Sequence, residues 1–264
     1  MALFLYLHFP ALQLQSAVRQ LQSEPDSREN SRGETEPAQS SLPFAVVNAQ
    51  HELIQLNAAA AAKGIKLGMT LGSAAALCHE LQLLPYQPQL QHELLSDVAQ
   101  QLYQHSAEIA LDPPDGLYLN LTNMLRLYQG LAGYWQYLAA AINRLDYDYH
   151  FATGTTALMA KCLARQKLDL ISADKAELDT RLAQTPLSVT DLDGKLQQQL
   201  KRLGLHTLGQ LLTLSSAELA RRFDSTLLSY LGRLRGDFYH ALEYIQPAQG
   251  FSRSLELLYD ISDT

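Results

Sequence analysis

Residues 1–23 contain no aspartate or glutamate. That absence excludes metal-binding carboxylates at the start of the chain, because hard divalent cations need oxygen-rich, negatively charged ligands. No apolar run approaches the roughly 20 residues needed to span a bilayer. The opening MALFLYLHF lacks a basic flank and reads as a first strand rather than a signal peptide. Cysteine is scarce: Cys78 and Cys162 stand far apart in helical-looking segments and form no Cys-x-x-Cys pair. A disulfide framework and a thiolate zinc site are therefore excluded, and two buried thiols in a reducing cytosol are expected. The histidines show no His-Glu-x-x-His spacing, and no glycine loop is built to cradle phosphate. A net charge of -7 excludes a wholly basic DNA-coating protein. The acid excess lies in residues 1–172, whereas 173–245 hold acids and bases in equal number. Any nucleic-acid surface belongs to the second region.

What is present is a succession of short strands and helices. Residues 3–9 read as a central strand, apolar on both faces. Ala11 to Leu21 has a short helical pattern. Residues 23–41 hold no aliphatic or aromatic core residue, so a disordered loop is expected. PFAVVN (43–48) and ELIQLN (52–57) read as two strands around a turn. An Ala-rich helix from Asn57 to Lys63 closes at Gly64, and Thr70 or Ser73 caps the next. LQLLP is a short strand. Residues 89–107 form an amphipathic helix with Leu90, Leu94, Leu95, Val98, Leu102 and Tyr103 on its apolar side. A helix from Gly130 to Leu145, a strand at 147–154 and a helix from Thr156 to Gln166 follow. This order predicts an α+β fold with a mixed sheet and helices on one face. From 173 the chain reads as all helix, with a Ser-x-x-Glu start at SSAELARRF. Its last stretch, FSRSLELLYDISDT, alternates like a strand, which suggests a fragment or a further domain beyond it.

Between these blocks lies LDPPDGLYLNLT (111–122). Acids and prolines open it, then Leu117, Leu119 and Leu121 alternate with Tyr118, Asn120 and Thr122. An acidic turn feeding a buried strand suits metal-binding carboxylates. Asp112 and Asp115 together suit a cation across the Pro-Pro turn; turn formation is the plainer reading.

Five stretches, in order, resemble the Y-family DNA polymerases, and within them the ImuB-like branch of bacterial mutagenesis proteins. NAAAAAKGIKLGMTLGSAAALCHELQLLP resembles the fingers, keeping Gly64, Ile65, Gly68, Met69, Ala75, Leu77 and Cys78. DGLYLNLT resembles the palm motif, TTALMAKCLARQK the palm helix, LKRLGLHTLGQLLTL with LARRF the thumb, and FSRSLELLYDI the linker to a little-finger domain. The resemblance implies a ferredoxin-like palm at 1–10 and 85–172, fingers at 11–84, a helical thumb with a helix-hairpin-helix-like motif at 173–245, and a linker from 246. It also implies losses. Tyr6 and His8 stand at the first-strand positions of the metal site. Asp115 matches an acid there, Gly116 stands where glutamate is usual, and Asn120 replaces a later aspartate. Ala58 and Ala61 stand where the fingers supply Tyr and Arg for the triphosphate. Lys167 is one residue from an expected phosphate lysine.

The implied function is a noncatalytic, polymerase-like scaffold in error-prone translesion synthesis, with no cofactor. Its implied partners are primer-template DNA, a RecA-like accessory protein, an error-prone C-family polymerase and the sliding clamp, in the cytoplasm at the nucleoid. Lys195, Lys201, Arg202, Arg221 and Arg222 are the candidate DNA contacts; a solvated helix face is the plainer reading of the same charges. The family's glycine hairpin falls at Asp191-Leu192-Asp193-Gly194, where two aspartates oppose phosphate. Two alternatives stay open: a weak polymerase using Mg²⁺ on Asp115 and substitute ligands, and a protein-binding module without DNA contact.

Overall fold

The computed structural model describes residues 2–23 and 42–246. Apart from Ser23, the loop expected at 23–41 lies outside them, as does the strand expected at 251–264. In the first part, β1 (Phe4–His8), α1 (Leu12–Ser23), β2 (Phe44–Val47), β3 (Leu53–Leu56), α2 (Ala58–Ala62), α3 (Leu71–Leu77), β4 (Gln82–Pro85) and α4 (Pro88–Leu102) follow one another. Then come β5 (Ile109–Asp112), β6 (Gly116–Asn120), α5 (Met124–Leu127), α6 (Leu131–Asn143), β7 (His150–Gly154) and α7 (Ala157–Arg165). The C-terminal helices are α8 (Lys175–Ala183), α9 (Gly194–Arg202), α10 (Leu208–Leu212), α11 (Ser216–Arg222) and α12 (Ser225–Arg235).

The central sheet runs β5-β6-β1-β7 and every pairing in it is antiparallel. The mixed sheet is the small one, β3-β2-β4, in which β2 pairs antiparallel with β3 and parallel with β4. The central sheet also has helices on both faces, which corrects the one-face expectation. The reason is the alternation in β1 and β6. Leu5, Leu7, Leu117 and Leu119 face a core with α4 and α6, while Tyr6 and Tyr118 face α7 and the C-terminal helices. Those C-terminal helices share the α7 core, in one cluster that includes Leu178, Leu200, Leu211 and Leu227.

Local rules explain most boundaries. Asn57, Thr70, Thr156, Asp174, Asp193, Thr207, Ser215 and Asp224 each accept an amide of the following first turn. Ser215 and Glu218 form the full reciprocal cap expected at SSAELARRF, and Thr207 with Gln210 forms another. Helix α4 stops short of 107 because the amides of His105 and Ser106 both turn back to the Leu102 carbonyl. Its buried stripe is Gln91, Leu95, Val98, Ala99 and Leu102, one position round from the expected one. Both cysteines are buried and unbridged.

Three buried glutamines join the small sheet to the central one. Gln91 Oε1 accepts from the Gln13 amide and from Gln55 Nε2, both at 3.2 Å, and its own Nε2 donates to the Pro114 carbonyl at 2.8 Å. Gln55 Oε1 accepts the Leu14 amide, and Gln13 reaches the Pro85 carbonyl and the Gln87 amide. Each side-chain amide has its donor and acceptor matched, as burial requires. At either edge of the central sheet the chain adds one bridge. Leu170 pairs with Ala152 of β7 where the C-terminal region begins, and Tyr244 pairs with Ala110 of β5 where it ends. Among the described residues, no helix is long and apolar enough to cross a membrane.

Candidate functional site

The site forms at one end of the central sheet, on the face toward α7. Register sets it: His8 and Asp112 both pair with Gly116, and Tyr6 pairs with Tyr118. Tyr6, His8, Asp112 and Gly116 thus point to one side, and Asp115 sits in the turn, where its carbonyl accepts the Phe9 amide at 2.7 Å.

Tyr6 is fully buried and packs edge-on against Tyr118, with ring centroids 4.9 Å apart. Its hydroxyl donates to Asp112 Oδ2 at 2.6 Å. Burial first, and then the Asp112 and Asp115 charges, push this phenol well above its ordinary pKa, so it stays a donor. The same ring fills the space over Gly116: a Cβ added there meets the Tyr6 hydroxyl at 1.8 Å and its Cζ at 2.2 Å. Glutamate at 116 and tyrosine at 6 are mutually exclusive in this packing.

Asp112 and Asp115, for which turn formation is the plainer reading and a shared cation the alternative, each have a side-chain partner from α7. Lys161 Nζ lies 2.8 Å from Asp112 Oδ2 and 2.7 Å from Asp191 Oδ2. Arg165 bonds Asp191 Oδ1 at 2.7 Å and lies 3.7 Å from Asp115 Oδ1. His8 Nε2 is 3.2 Å from the other Asp115 oxygen. Burial works to raise the Asp115 pKa, but the His8 bond and the His8, Arg165 and Lys161 charges outweigh it and hold the carboxyl below its usual range. Asp115 Oδ1 and His8 Nδ1 remain buried without a hydrogen-bond partner. Among the described residues, no three His, Cys, Asp or Glu side chains are grouped to hold a metal ion.

Asn120 is committed elsewhere: its amide donates to Glu108 and its oxygen accepts from Thr122. Ala58 and Ala61 are exposed on α2 and carry no polar group. Ala61 borders a groove of about 920 Å³ that Lys66 and Lys167 also line. Lys195 and Arg222 border a cavity of about 540 Å³ together with Asp112, Lys161, Asp191 and Arg233. Lys201, Arg202 and Arg221 are exposed outside it. Gly194 does not form a glycine hairpin; it opens α9 behind the Asp193 cap. Asp191, expected to repel phosphate, is ion-paired with Lys161 and Arg165. The sequence assigns Lys161 and Arg165 no role and does not pair them with Asp191. The available signal was their four-residue spacing, which puts them on one side of α7.

A family model described as impB/mucB/samB matches residues 33–165, half of the chain. The chain belongs to the impB/mucB/samB family. Within this family setting it is similar to Protein ImuB of two Caulobacter vibrioides strains, 30% identical over 199 residues. Those residues are 75% of this chain and 43% of the relative, so the chain spans less than half the length of those relatives. Among solved structures it resembles DinB from Sulfolobus solfataricus, with a TM-score of 0.65 at 15% identity over 92% of this chain and 69% of that one. A Y-family DNA polymerase chimera gives 0.68 at 16% identity, over 92% and 70%. The insertion ternary complex of Dbh DNA polymerase gives 0.67 at 15%, over 91% and 69%. The impB/mucB/samB core of this chain therefore has the fold of a Y-family polymerase core.

Proposed function

We propose that this chain is the polymerase-like core of a DNA-damage-tolerance protein that holds DNA and partner proteins without itself adding nucleotides. The observation that carries this reading is Tyr6 filling the place of a Gly116 side chain while Lys161 and Arg165 occupy the acids beside it. Nucleotidyl transfer by two metal ions needs several free carboxylate oxygens around cations about 4 Å apart. These residues do not fit such a pair: one Asp115 oxygen lacks a hydrogen-bond partner, and a guanidinium lies beside it. The fingers offer alanine at 58 and 61, which binds no phosphate. No cofactor is assigned.

DNA is held, in this reading, through phosphate contacts of Lys195, Lys201, Arg202, Arg221 and Arg222, without base readout. Likeness to ImuB supports a place in a mutagenesis complex with a RecA-like accessory protein, an error-prone C-family polymerase and the sliding clamp, at the bacterial nucleoid. The unpaired Asp115 oxygen favours a second reading, a weak polymerase using Mg²⁺ on Asp115. Primer extension on the full-length protein with Mg²⁺ or Mn²⁺ separates the two. No template-dependent incorporation is expected, and incorporation abolished by Asp115→Ala overturns the scaffold. Binding to primer-template DNA should weaken steeply with salt, and Lys201→Ala with Arg202→Ala should lower the salt slope by about 1 per lost contact. Binding unchanged by that pair and insensitive to salt points instead to a module that contacts protein alone.

A further inference from the structure

From Leu127 to Asn143, a stretch that includes all of α6, the chain holds no Asp, Glu, Lys or Arg. One side of α6, formed by Tyr134, Leu138, Ala141 and Ile142, is buried in the core on the sheet face away from α7. The other side, with Ala132, Gly133, Gln136, Tyr137 and Ala140 at spacings of three and four, is exposed. A surface helix ordinarily turns charged residues to water, and this one turns none. The aromatic part of the face is held in place. The Tyr137 ring, 39% exposed, stacks on Tyr128 with centroids 4.7 Å apart, and Tyr128 lies 4.9 Å from Tyr134. His105 meets Tyr137 edge-on, with its Nδ1 2.8 Å from the Tyr137 hydroxyl. Leu127, beside Tyr128 in the chain, is 71% exposed.

We propose that this face docks one α-helix of a partner protein, through an uncharged side of that helix. The face has no Lys or Arg for phosphate or an acidic headgroup, and no acid for a basic segment, so its complement is neutral. Its thirteen residues present a straight surface about 20 Å long. Side chains no larger than alanine at 132, 133 and 140 let the axis of a second helix come close, with Tyr137 as the knob that enters it. A tyrosine already stacked and hydrogen-bonded loses little entropy on binding, and such residues anchor interfaces. The proposal rests on the reading of this chain as a scaffold and adds where the protein partner sits. That place is across the central sheet from α9 with Lys195, Lys201 and Arg202, so DNA and partner are held at once.

Titration of the full-length protein against the purified accessory protein, C-family polymerase and sliding clamp in turn tests it, for wild type, Tyr137→Glu and Ala140→Glu. One of the three should bind the wild type with an affinity that salt barely changes. Each variant should weaken that binding at least ~10-fold, with circular dichroism and DNA affinity unchanged. A photo-crosslinker at Gln136 should attach to partner residues three or four apart in sequence, as one helix face requires. Wild-type affinity in both variants, beside a partner that does bind, overturns the docking face and leaves the scaffold standing. Binding to none of the three overturns the scaffold reading and the docking face with it. Crosslinks confined to an extended segment overturn the helix as occupant. Self-association of the wild type in sedimentation, lost in Tyr137→Glu, means that a second copy covers the face and overturns the partner.

Discussion

Two junctions hold this molecule to its central sheet, and they are built from opposite chemistry. The small sheet is joined through Gln13, Gln55 and Gln91, three neutral amides that each donate one hydrogen bond and accept at least one. The C-terminal helices are joined through Lys161 and Arg165 against Asp112, Asp115 and Asp191. An amide network does not titrate and is indifferent to salt. An ionic network answers to both, and it stays cohesive only while charges balance. The β5–β6 turn takes part in each: Gln91 holds the Pro114 carbonyl and His8 with Arg165 holds Asp115. One hairpin therefore registers the small sheet on one side and the C-terminal helices on the other.

The largest expected effect comes from forcing an acid into the ionic junction. Gly116→Glu adds a charge where Tyr6 already lies, and should cost about 3–5 kcal/mol in urea unfolding. Combined with Tyr6→Ala, whose own cavity is costly, the two losses should fall short of additive by ~1 kcal/mol or more. Strict additivity would mean that Tyr6 does not occupy the site of a side chain at 116. The neutral junction breaks more gently. Gln91→Leu keeps the bulk but strands the Gln55 amide and the Pro114 carbonyl, and should cost roughly 2 kcal/mol. That loss should be the same at low and high salt, and a salt-dependent loss would erase the contrast between the junctions.

Acid supplies the smallest test. The folded Asp115 carboxyl is held below its usual range, so its contribution is complete above the ordinary value of about 3.9 and is lost as pH falls through the folded value. The urea midpoint of the wild type should therefore drop more steeply between pH 6 and pH 3 than that of Asp115→Asn. Equal slopes would remove Asp115 from the ionic account.

Much of the fold is legible in the sequence, because it rests on local patterns. The alternation Leu117, Leu119, Leu121 marks the core face of β6, and the Ser215–Glu218 spacing marks a helix start. The glutamines are not legible. In α4, Gln91 occupies the stripe position that hydropathy assigns to Leu90, since a polar residue is read as surface unless its partners are known. The ionic site is half legible. Asp115, Gly116, Tyr6 and His8 are neighbours in the structure, and each is named from the sequence. The partners that neutralise the acids come from α7 and from Asp191, each tens of residues away in sequence, and no local pattern links them.

The two single bridges at the sheet margins carry a last consequence. An unpaired outer strand offers its backbone to any passing chain and invites association. Here the C-terminal region enters beside β7 through Leu170 and leaves beside β5 through Tyr244, with the Ile245 amide bonded to the Ile109 carbonyl at 2.7 Å. A single excursion of the chain thus adds one backbone bridge to each outer strand of the sheet it crosses, so neither margin is left wholly bare.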